Sequence, residues 1–201
     1  MIVGLTGGIG SGKSAVSSLL KARDITVVDA DQAARDVVQK GCPALGDIAQ
    51  HFGQHMLLAS GELDRAALRL RVFSADSDPA DKQWLEALLH PLIGQTIDQQ
   101  LALAKGPYRV LESPLLLETT QHECTSFVVV VDCTEEQQVD RASIRDGNTE
   151  AQIRTIMANQ LPRQQRLTKA HWVINNQSDM QQLEQQVQDL HEHLCQLTKA
   201  N

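Results

Sequence analysis

The chain has 201 residues, of which 42% are hydrophobic and 21% are charged, and its formal net charge at pH 7 is −7. This length favours one domain, and the acidic balance disfavours a general nucleic-acid binder. The longest unbroken apolar run, residues 127–131, is too short to cross a membrane, and no signal peptide is visible at the start. Four scattered cysteines form no C-x-x-C pair and predict free thiols, so we expect a cytoplasmic protein with neither a zinc site nor a disulfide framework.

The first elements in chain order surround the most informative motif. Residues 7–14 read GGIGSGKS and match the pattern G-x-x-x-x-G-K-[ST]. The apolar residues 2–6 before it predict a buried strand, and residues 15–20 after it predict the start of a helix, which is the context that a phosphate-binding loop requires. Glycines let backbone N–H groups turn toward phosphate oxygens, and the helix N-terminus adds partial positive charge. The motif therefore predicts a nucleotide site in which Lys13 reaches the β- and γ-phosphates and the Ser14 hydroxyl holds Mg²⁺.

Four more apolar runs predict strands at residues 26–29, 108–112, 127–132 and 172–175. Their alternation with helical patterns predicts βαβ units and a parallel sheet. About 75 residues separate the second and third of the five strands, which is too many for one crossover helix. Residues 63–73 and 82–105 in this gap repeat Leu, Ile and Ala at helical spacing. We therefore expect an α/β fold with a five-stranded parallel sheet flanked by helices and a helical insertion at about residues 61–106.

Carboxylates that end strands are the candidate functional acids. Asp29 and Asp31 follow the second predicted strand, where a carboxylate could accept a hydroxyl proton or hold a metal-bound water. Asp31 also precedes a helical pattern at residues 32–39, so a role as helix N-cap is equally open for it, and Asp29 could do the capping instead. Glu112 and Asp132 end two other strands in the manner of a Walker B acid. The sequence does not separate these two, and both rank below Asp31.

The segment at residues 141–169 is basic although the whole chain is acidic. Thr134 and Gln137 predict a capping box for the helix that leads into it, and Gly147 and Asn148 interrupt that helix. The segment carries two acidic residues, Asp146 and Glu150, and six basic ones: Arg141, Arg145, Arg154, Arg163, Arg166 and Lys169. Within it, Arg141 with Arg145, and Arg163 with Arg166, share helix faces. These pairs fit either a mobile cover that neutralises phosphoryl oxygens or a basic face in solvent. A last helix at residues 180–197 is interpreted as a packing helix.

Motifs of other phosphate-loop classes are absent from the sequence. The chain has no Asn-Lys-x-Asp base reader or Asp-x-x-Gly switch, as in GTPases, and no Leu-Ser-Gly-Gly-Gln signature, as in ABC-type ATPases. A kinase for a small molecule or nucleotide remains, in which transfer depends on positioning and charge neutralisation. In the insertion, His90-Pro91 is interpreted as the end of one helical stretch and the place where another could begin. His90 could contact substrate, although a capping role is as well supported.

Together these segments resemble the dephospho-coenzyme A kinase family over nearly the whole chain. The stretches that carry the resemblance are LTGGIGSGKS at 5–14, DAD at 29–31 with AR at 34–35, LDR at 63–65, RVF at 71–73, HPLI at 90–93, PLLLE at 114–118, Gln160 with Arg163, and VINN at 173–176. Many families share the phosphate loop, whereas this combination in this order is highly specific.

The resemblance implies a reaction and a division of the chain. The reaction is phosphorylation of the ribose 3′-hydroxyl of dephospho-CoA by ATP with Mg²⁺, which gives CoA and ADP in the last step of CoA biosynthesis. The implied fold is a phosphate-loop kinase core at about residues 1–60, 107–140 and 170–201. The insertion at 61–106 would bind the acceptor, and residues 141–169 would form the lid. The implied partners are the two small-molecule substrates, without nucleic acid or membrane.

The resemblance also implies roles for individual residues. Asp31 is the base or hydroxyl-orienting group, Lys13 the phosphate clamp and Arg141 a transition-state arginine. The implied ATP site consists of Gly8, Ile9, Gly10, Ser11, Gly12, Lys13, Ser14, Ala15, Arg145, Asn175 and Asn176, with Ser14 as metal ligand. The implied acceptor site consists of Asp31, Arg35, Arg65, His90, Pro114, Leu115 and Leu116.

The sequence departs from the family pattern at three places. Ala15 stands where Thr often follows the loop, Ala170-His171-Trp172 replaces an Ala-Asp-Asp-like stretch, and Asn175 replaces a common Asp. The last two departures concern the adenine side of ATP. Two alternatives to this function are another phosphate-loop kinase for a nucleotide or small alcohol, and a nucleotide-binding regulator that has lost transfer.

Overall fold

Five strands form one sheet in the computed structural model, which describes residues 1–74 and 77–200. The strands are β1 (Ile2–Gly7), β2 (Val27–Asp29), β3 (Arg109–Glu112), β4 (Phe127–Asp132) and β5 (Trp172–Asn175), in the order β2-β3-β1-β4-β5. β1 pairs in parallel with β3 and β4, so that Leu5 lies level with Glu112 on one side and Val129 on the other. β5 pairs in parallel with β4. The five-stranded parallel sheet predicted from the sequence is confirmed.

Helices account for most of the rest of the described chain. They are α1 (Lys13–Lys21), α2 (Ala30–Asp36), α3 (Pro43–Phe52), α4 (Arg65–Phe73), α5 (Pro79–Leu103), α6 (Glu135–Asp146), α7 (Glu150–Ala158), α8 (Arg163–Thr168) and α9 (Met180–Ala200), with short 3₁₀ helices at Gln54–Met56 and Thr120–Cys124. Among the helices in the described ranges, none has the length and apolar character needed to cross a bilayer.

The chain forms two compact units, one of Met1–Val28 with the residues from Leu103 onward and one of Asp29–Ala102. The core of the first unit lies between the sheet and the helices α1 and α9. The strands contribute buried valines, such as Val129 and Val131, and α9 contributes Leu183, Val187, Leu190 and Leu194. These α9 residues follow helical spacing along one face, which confirms the last helix as a packing helix.

The second unit has its own apolar core among α3, α4 and α5. Ile48, Phe52, Leu68, Val72 and Leu85 are buried there. Each such side chain contributes about 1.5–3 kcal/mol relative to an exposed position. The predicted insertion at residues 61–106 falls mostly within this unit.

Helix ends in the first unit follow the local sequence signals. The N–H of Gln137 donates to the Thr134 hydroxyl at 3.2 Å, and the N–H of Thr134 donates to the Gln137 side chain at 3.3 Å, which confirms the predicted capping box of α6. Gly147 ends α6 in the left-handed region with φ +67°, where a residue without Cβ is favoured.

Two details of the second unit differ from the sequence predictions. α5 continues without a break from Pro79 to Leu103 with Pro91 inside it, so the helix boundary predicted at His90-Pro91 is wrong. A proline removes one intrahelical hydrogen bond, and the buried Leu85, Ile97 and Leu101 on both sides of Pro91 favour a continuous helix. α2 begins at Ala30 and ends at Asp36, earlier than the pattern at residues 32–39 predicted.

Candidate active site

The loop between β1 and α1 has the backbone of an anion-binding loop. Gly10 and Gly12 have φ +70° and +95°, in the left-handed region, and Gly12 directly precedes the first turn of α1. The N–H of Ser11 donates to the Gly8 carbonyl at 3.1 Å, which closes the loop on itself. Because the first N–H groups of a helix have no intrahelical acceptor, the start of α1 adds donors and positive potential to the loop. The loop is therefore shaped to bind phosphate.

The ammonium of Lys13 lies at this loop. Its Nζ donates to the carbonyl oxygens of Gly7 at 2.8 Å and of Gly8 at 3.2 Å. Lys13 is half-buried, whereas Ser14 in the same turn of α1 is exposed. The loop thus carries one positive charge and one accessible hydroxyl beside its N–H groups.

The glycines of the loop sit where side chains would collide with neighbouring elements. A Cβ at Gly8 would lie 2.8 Å from the Gln138 Oε1 and 2.9 Å from the Arg166 Nη2, and one at Gly10 would collide with the Gln138 carbonyl. At Gly12 a Cβ would collide with the amide of Asn176. The loop is therefore packed directly against α6, α8 and the segment after β5.

Asn176 and Arg141 connect that segment to the loop. The Asn176 Nδ2 donates to the Ser11 carbonyl at 2.8 Å, and Arg141 Nη1 donates to the Asn176 carbonyl at 3.0 Å. Arg141 also lies close to Cys133, a fully buried thiol whose pKa is raised by burial and lowered in part by this arginine. Asn175, by contrast, uses its Oδ1 to accept the N–H of Gln177 at 3.0 Å. The structure thus brings Asn176 to the phosphate loop.

Both candidate Walker B acids lie at the carboxyl ends of strands beside β1, and both have partners. Asp132 accepts two hydrogen bonds from Arg163, at 2.8 and 2.6 Å, and these bonds raise the pKa of the Arg163 guanidinium. The Asp132 side chain is 8% exposed, against 39% for Arg163. Glu112 accepts the Ser17 hydroxyl of α1 at 2.6 Å.

A basic cavity of about 310 Å³ lies among α6, α7 and α8. Gln138, Gln160 and the buried Arg166 line it, together with Glu135, Arg154, Met157, Ala158, Leu161, Pro162 and Arg163. Burial lowers the pKa of Arg166, with Glu118 and Asp132 acting in the opposite direction. Three arginines of the basic segment at residues 141–169 therefore line a cavity: Arg154, Arg163 and Arg166. The lining of this cavity also includes side chains that contact the phosphate loop.

Comparison with known proteins assigns this loop and its surroundings to a family. The family model described as dephospho-CoA kinase matches residues 1–182. A dephospho-CoA kinase from Hahella chejuensis is 47% identical over 199 residues, covering 99% of this chain and 94% of that protein. One from Acinetobacter baylyi is 47% identical over 192 residues, covering 96% of this chain and 97% of that protein. The chain belongs to the dephospho-CoA kinase family.

Solved structures agree with the fold. A crystal structure of a protein from Thermus thermophilus has a TM-score of 0.80 at 29% identity and covers 96% of this chain and 97% of its own. The dephospho-CoA kinase of Campylobacter jejuni has a TM-score of 0.70 at 21% identity, with 97% of each chain covered. A shikimate kinase from Bacteroides thetaiotaomicron has a TM-score of 0.55 at 16% identity, covering 96% of this chain and 98% of its own. The latter two similarities concern the fold alone, which is that of a phosphate-loop kinase.

The family resemblance also predicted acceptor-side residues after β3, and the structure distinguishes among them. Leu116 is fully buried and fills the space beside Gly4, so its side chain is part of the core. Leu115 is 44% exposed and Pro114 is half-buried. Of this stretch, Leu115 has the most accessible side chain.

The remaining acceptor-side predictions lie in the second unit. Asp29 caps α2 by accepting the N–H groups of Asp31 at 2.8 Å and Gln32 at 3.1 Å. The cap of α2 is therefore Asp29 and not Asp31, which is exposed in the first turn of the helix. Arg65 Nη2 donates to the Arg35 carbonyl at 3.4 Å, which brings these two arginines together. His90 is exposed on α5.

Arg145, a predicted ATP contact, has a partner next to it in the chain, and three residues near the loop were not included in the predicted site. Arg145 bonds its neighbour Asp146 at 2.6 and 2.7 Å, and its side chain is 61% exposed. Gln138, Gln160 and Arg166 touch the phosphate loop; Arg166 was predicted only as one of a pair that could neutralise phosphoryl oxygens, and no role was predicted for Gln138 or Gln160. A glutamine has no charge or spacing signature, and only the proximity of Gln160 and Arg163 in the family pattern could have pointed to this contact.

Proposed function

We propose that this protein transfers the γ-phosphoryl group of ATP to the ribose 3′-hydroxyl of dephospho-CoA, giving CoA and ADP, as the last step of CoA biosynthesis. The observation that carries the proposal is the intact phosphate loop with Lys13 bound to its carbonyl oxygens in a chain that belongs to the dephospho-CoA kinase family. The scattered cysteines fit a reducing compartment, and we place the reaction in the cytoplasm.

Lys13 acts in this proposal as the phosphate clamp. Its ammonium donates to the carbonyl oxygens of Gly7 and Gly8, and a bond to a phosphate oxygen, in which both partners are charged, is stronger than a bond to a neutral carbonyl. ATP would therefore draw the Nζ from the carbonyls of Gly7 and Gly8 to the β- and γ-phosphates. Arg141 is linked to the loop through Asn176: its guanidinium donates to the Asn176 carbonyl, and the Asn176 side chain donates to the Ser11 carbonyl. Arg141 would neutralise charge that builds up during transfer.

A magnesium ion fits the residues at the loop. Within the described ranges there is no group of three or more His, Cys, Asp or Glu side chains that could hold a metal by itself. Mg²⁺ in kinases is usually held by one or two protein groups and by substrate phosphates and water, so the exposed Ser14 hydroxyl suits it. When bound, the ion would neutralise phosphate charge.

Asp31 is proposed as the group that accepts or orients the proton of the ribose hydroxyl. Its carboxylate is exposed in the first turn of α2, and the capping of that helix is done by Asp29. We further propose that Arg35, Arg65 and His90 bind the acceptor, that Asn176 and Asn175 lie at the adenine end of ATP, and that residues 141–169 act as a lid.

The test is ADP formation from ATP and Mg²⁺ with and without dephospho-CoA, together with the mass of the product. We expect acceptor-dependent ADP and the addition of one phosphoryl group to dephospho-CoA. ADP formation that does not depend on dephospho-CoA would refute the substrate while leaving nucleotide binding in place. Binding of MgATP without any transfer would favour a nucleotide-binding regulator.

A further inference from the structure

We propose that Gln160 is a positioning residue of the phosphate loop, which it keeps in its phosphate-binding form by accepting the N–H of Ile9. The inference rests on the proposed function only in requiring that the loop bind MgATP. It concerns a side chain that contacts the loop backbone and not the reacting atoms.

The contact joins two parts of the chain that are far apart in sequence. The Ile9 N–H donates to the Gln160 Oε1 at 3.0 Å across 151 residues. Ile9 is the third residue of the loop and directly precedes Gly10, where the backbone turns with φ +70°. Every backbone N–H in a partly buried loop needs an acceptor. Gln160 supplies one for Ile9, and this bond fixes the orientation of the peptide that enters the turn.

Gln160 is itself held in place by its neighbours in sequence. Its N–H donates to the Met157 carbonyl at 3.1 Å at the end of α7, and the next N–H, of Leu161, donates to Glu118 Oε1 at 2.8 Å. The guanidinium of Arg166 donates to the Leu161 carbonyl. Three residues beyond Gln160, Arg163 makes its two bonds to Asp132. The amide of Gln160 therefore extends from a segment with several attachments to the same unit.

The same part of the loop also packs tightly against α6 and α8. Gly8 lies against the side chains of Gln138 and Arg166, and Gly10 lies against the main chain of Gln138. These contacts exclude side chains from the loop, but they do not supply an acceptor for the Ile9 N–H. Without Gln160 this N–H would have to turn to another partner, and the donors from Gly10 onward would turn with it.

The experiment compares Gln160→Met with Gln164→Met. Methionine keeps the length of the glutamine side chain and removes the amide, and Gln164 is exposed on α8, one turn further along the chain. For each variant, MgATP affinity is measured by calorimetry, the KM values for ATP and dephospho-CoA by ADP release, and exchange of the Ile9 amide by NMR.

For Gln160→Met we expect faster exchange of the Ile9 amide by about tenfold or more, and weaker MgATP binding by about three- to tenfold, which corresponds to the loss of one hydrogen bond. The KM for ATP should rise in parallel, while the KM for dephospho-CoA stays within about twofold. A merely structural effect would move both KM values or neither. Gln164→Met should leave all four quantities unchanged.

Three results would overturn the inference: unchanged Ile9 exchange in Gln160→Met, unchanged MgATP affinity despite faster exchange, or equal losses in Gln164→Met. If Gln160→Met does not fold, Gln160→Glu decides, because its carboxylate can accept the same N–H. Its Ile9 amide should then remain protected, and rapid exchange would count against the inference. Calorimetry needs no acceptor, so a wild-type protein that binds MgATP but does not phosphorylate dephospho-CoA refutes the proposed function alone.

Discussion

At the scale of single residues, the proposed reaction depends on two charged groups, Lys13 and Asp31. The Lys13 ammonium lies on two loop carbonyls, and Asp31 projects from α2 while its neighbour Asp29 does the capping. Their proposed roles differ, because Lys13 would act on the donor and Asp31 on the acceptor.

Replacing Lys13 by Met should remove the positive charge while keeping most of the apolar stem. We expect kcat/KM for ATP to fall by about a hundredfold or more, in line with the loss of a charged group that stabilises a transition state. Steady-state ADP release measures this, with Lys21→Met at the exposed end of α1 as the control. A decrease of less than about threefold would contradict the clamp role.

Replacing Asp31 by Asn should lower kcat by about 10²–10⁴-fold, since a general base in the transition state contributes that much. MgATP affinity should stay within about twofold, because the carboxylate would act on the acceptor. Turnover and calorimetry together separate the two effects. Asp36→Asn is the matched control, as an amide oxygen can also accept the bonds that Gln32 and Gln39 donate to Asp36. Full turnover in Asp31→Asn would mean that another group accepts or orients the hydroxyl proton.

At the scale of secondary structure elements, the site is the place where β1, α1, α6 and α8 meet at one loop. The elements approach so closely that glycine is required. A Cβ at Gly10 would collide with the main chain of α6, and the φ of +70° at this position is one that residues with a Cβ rarely adopt. The main chain of α6 cannot rotate away from an added Cβ as a side chain could. The loop therefore depends on the position of α6 as much as on its own sequence.

Two glycine substitutions should have opposite effects on stability. Gly10→Ala should lower the free energy of unfolding by about 1–3 kcal/mol, as expected for a residue held in a sparsely populated backbone conformation. Gly46→Ala should raise it by about 0.5–1 kcal/mol, because Gly46 lies inside α3 and nothing lies within 4 Å of a Cβ added there. Urea unfolding measures both. A stable Gly10→Ala variant with normal MgATP binding would mean that α6 does not constrain the loop.

At the scale of the whole molecule, the core of the first unit contains a buried hydroxyl that links the sheet to the last helix. Tyr108, just before β3, is 1% exposed, and its hydroxyl lies 2.9 Å from His191 Nδ1 on α9. Burial, with a smaller contribution from nearby Cys195, raises the pKa of this phenol well above its ordinary value of 10. The folded state therefore holds this proton at pH values where the unfolded chain releases it.

The alkaline stability of the protein should depend on this group. Because its folded pKa lies above the unfolded value, its contribution is complete below about pH 10 and is lost as the pH rises toward the folded pKa, by at most about 1.4 kcal/mol per pH unit. Urea unfolding between pH 7 and pH 11 should show a smaller alkaline decrease for Tyr108→Phe than for the wild type. Tyr108 is the one tyrosine in the chain, so the absorbance of tyrosinate reports it directly. Ionisation near pH 10 in the folded protein would contradict the prediction.

The sequence by itself determined the five strands, the phosphate loop, the capping box at Thr134 and the family, because each depends on residues close together in the chain or on motifs in a fixed order. The tertiary structure decided which acid caps α2, that α5 continues through Pro91, and that Leu116 is buried in the core. It also showed the bonds of Asp132 to Arg163 and of Ile9 to Gln160. These bonds join residues 31 and 151 positions apart. Only folding brings such groups together, so periodicity and local motifs contain no signal for them.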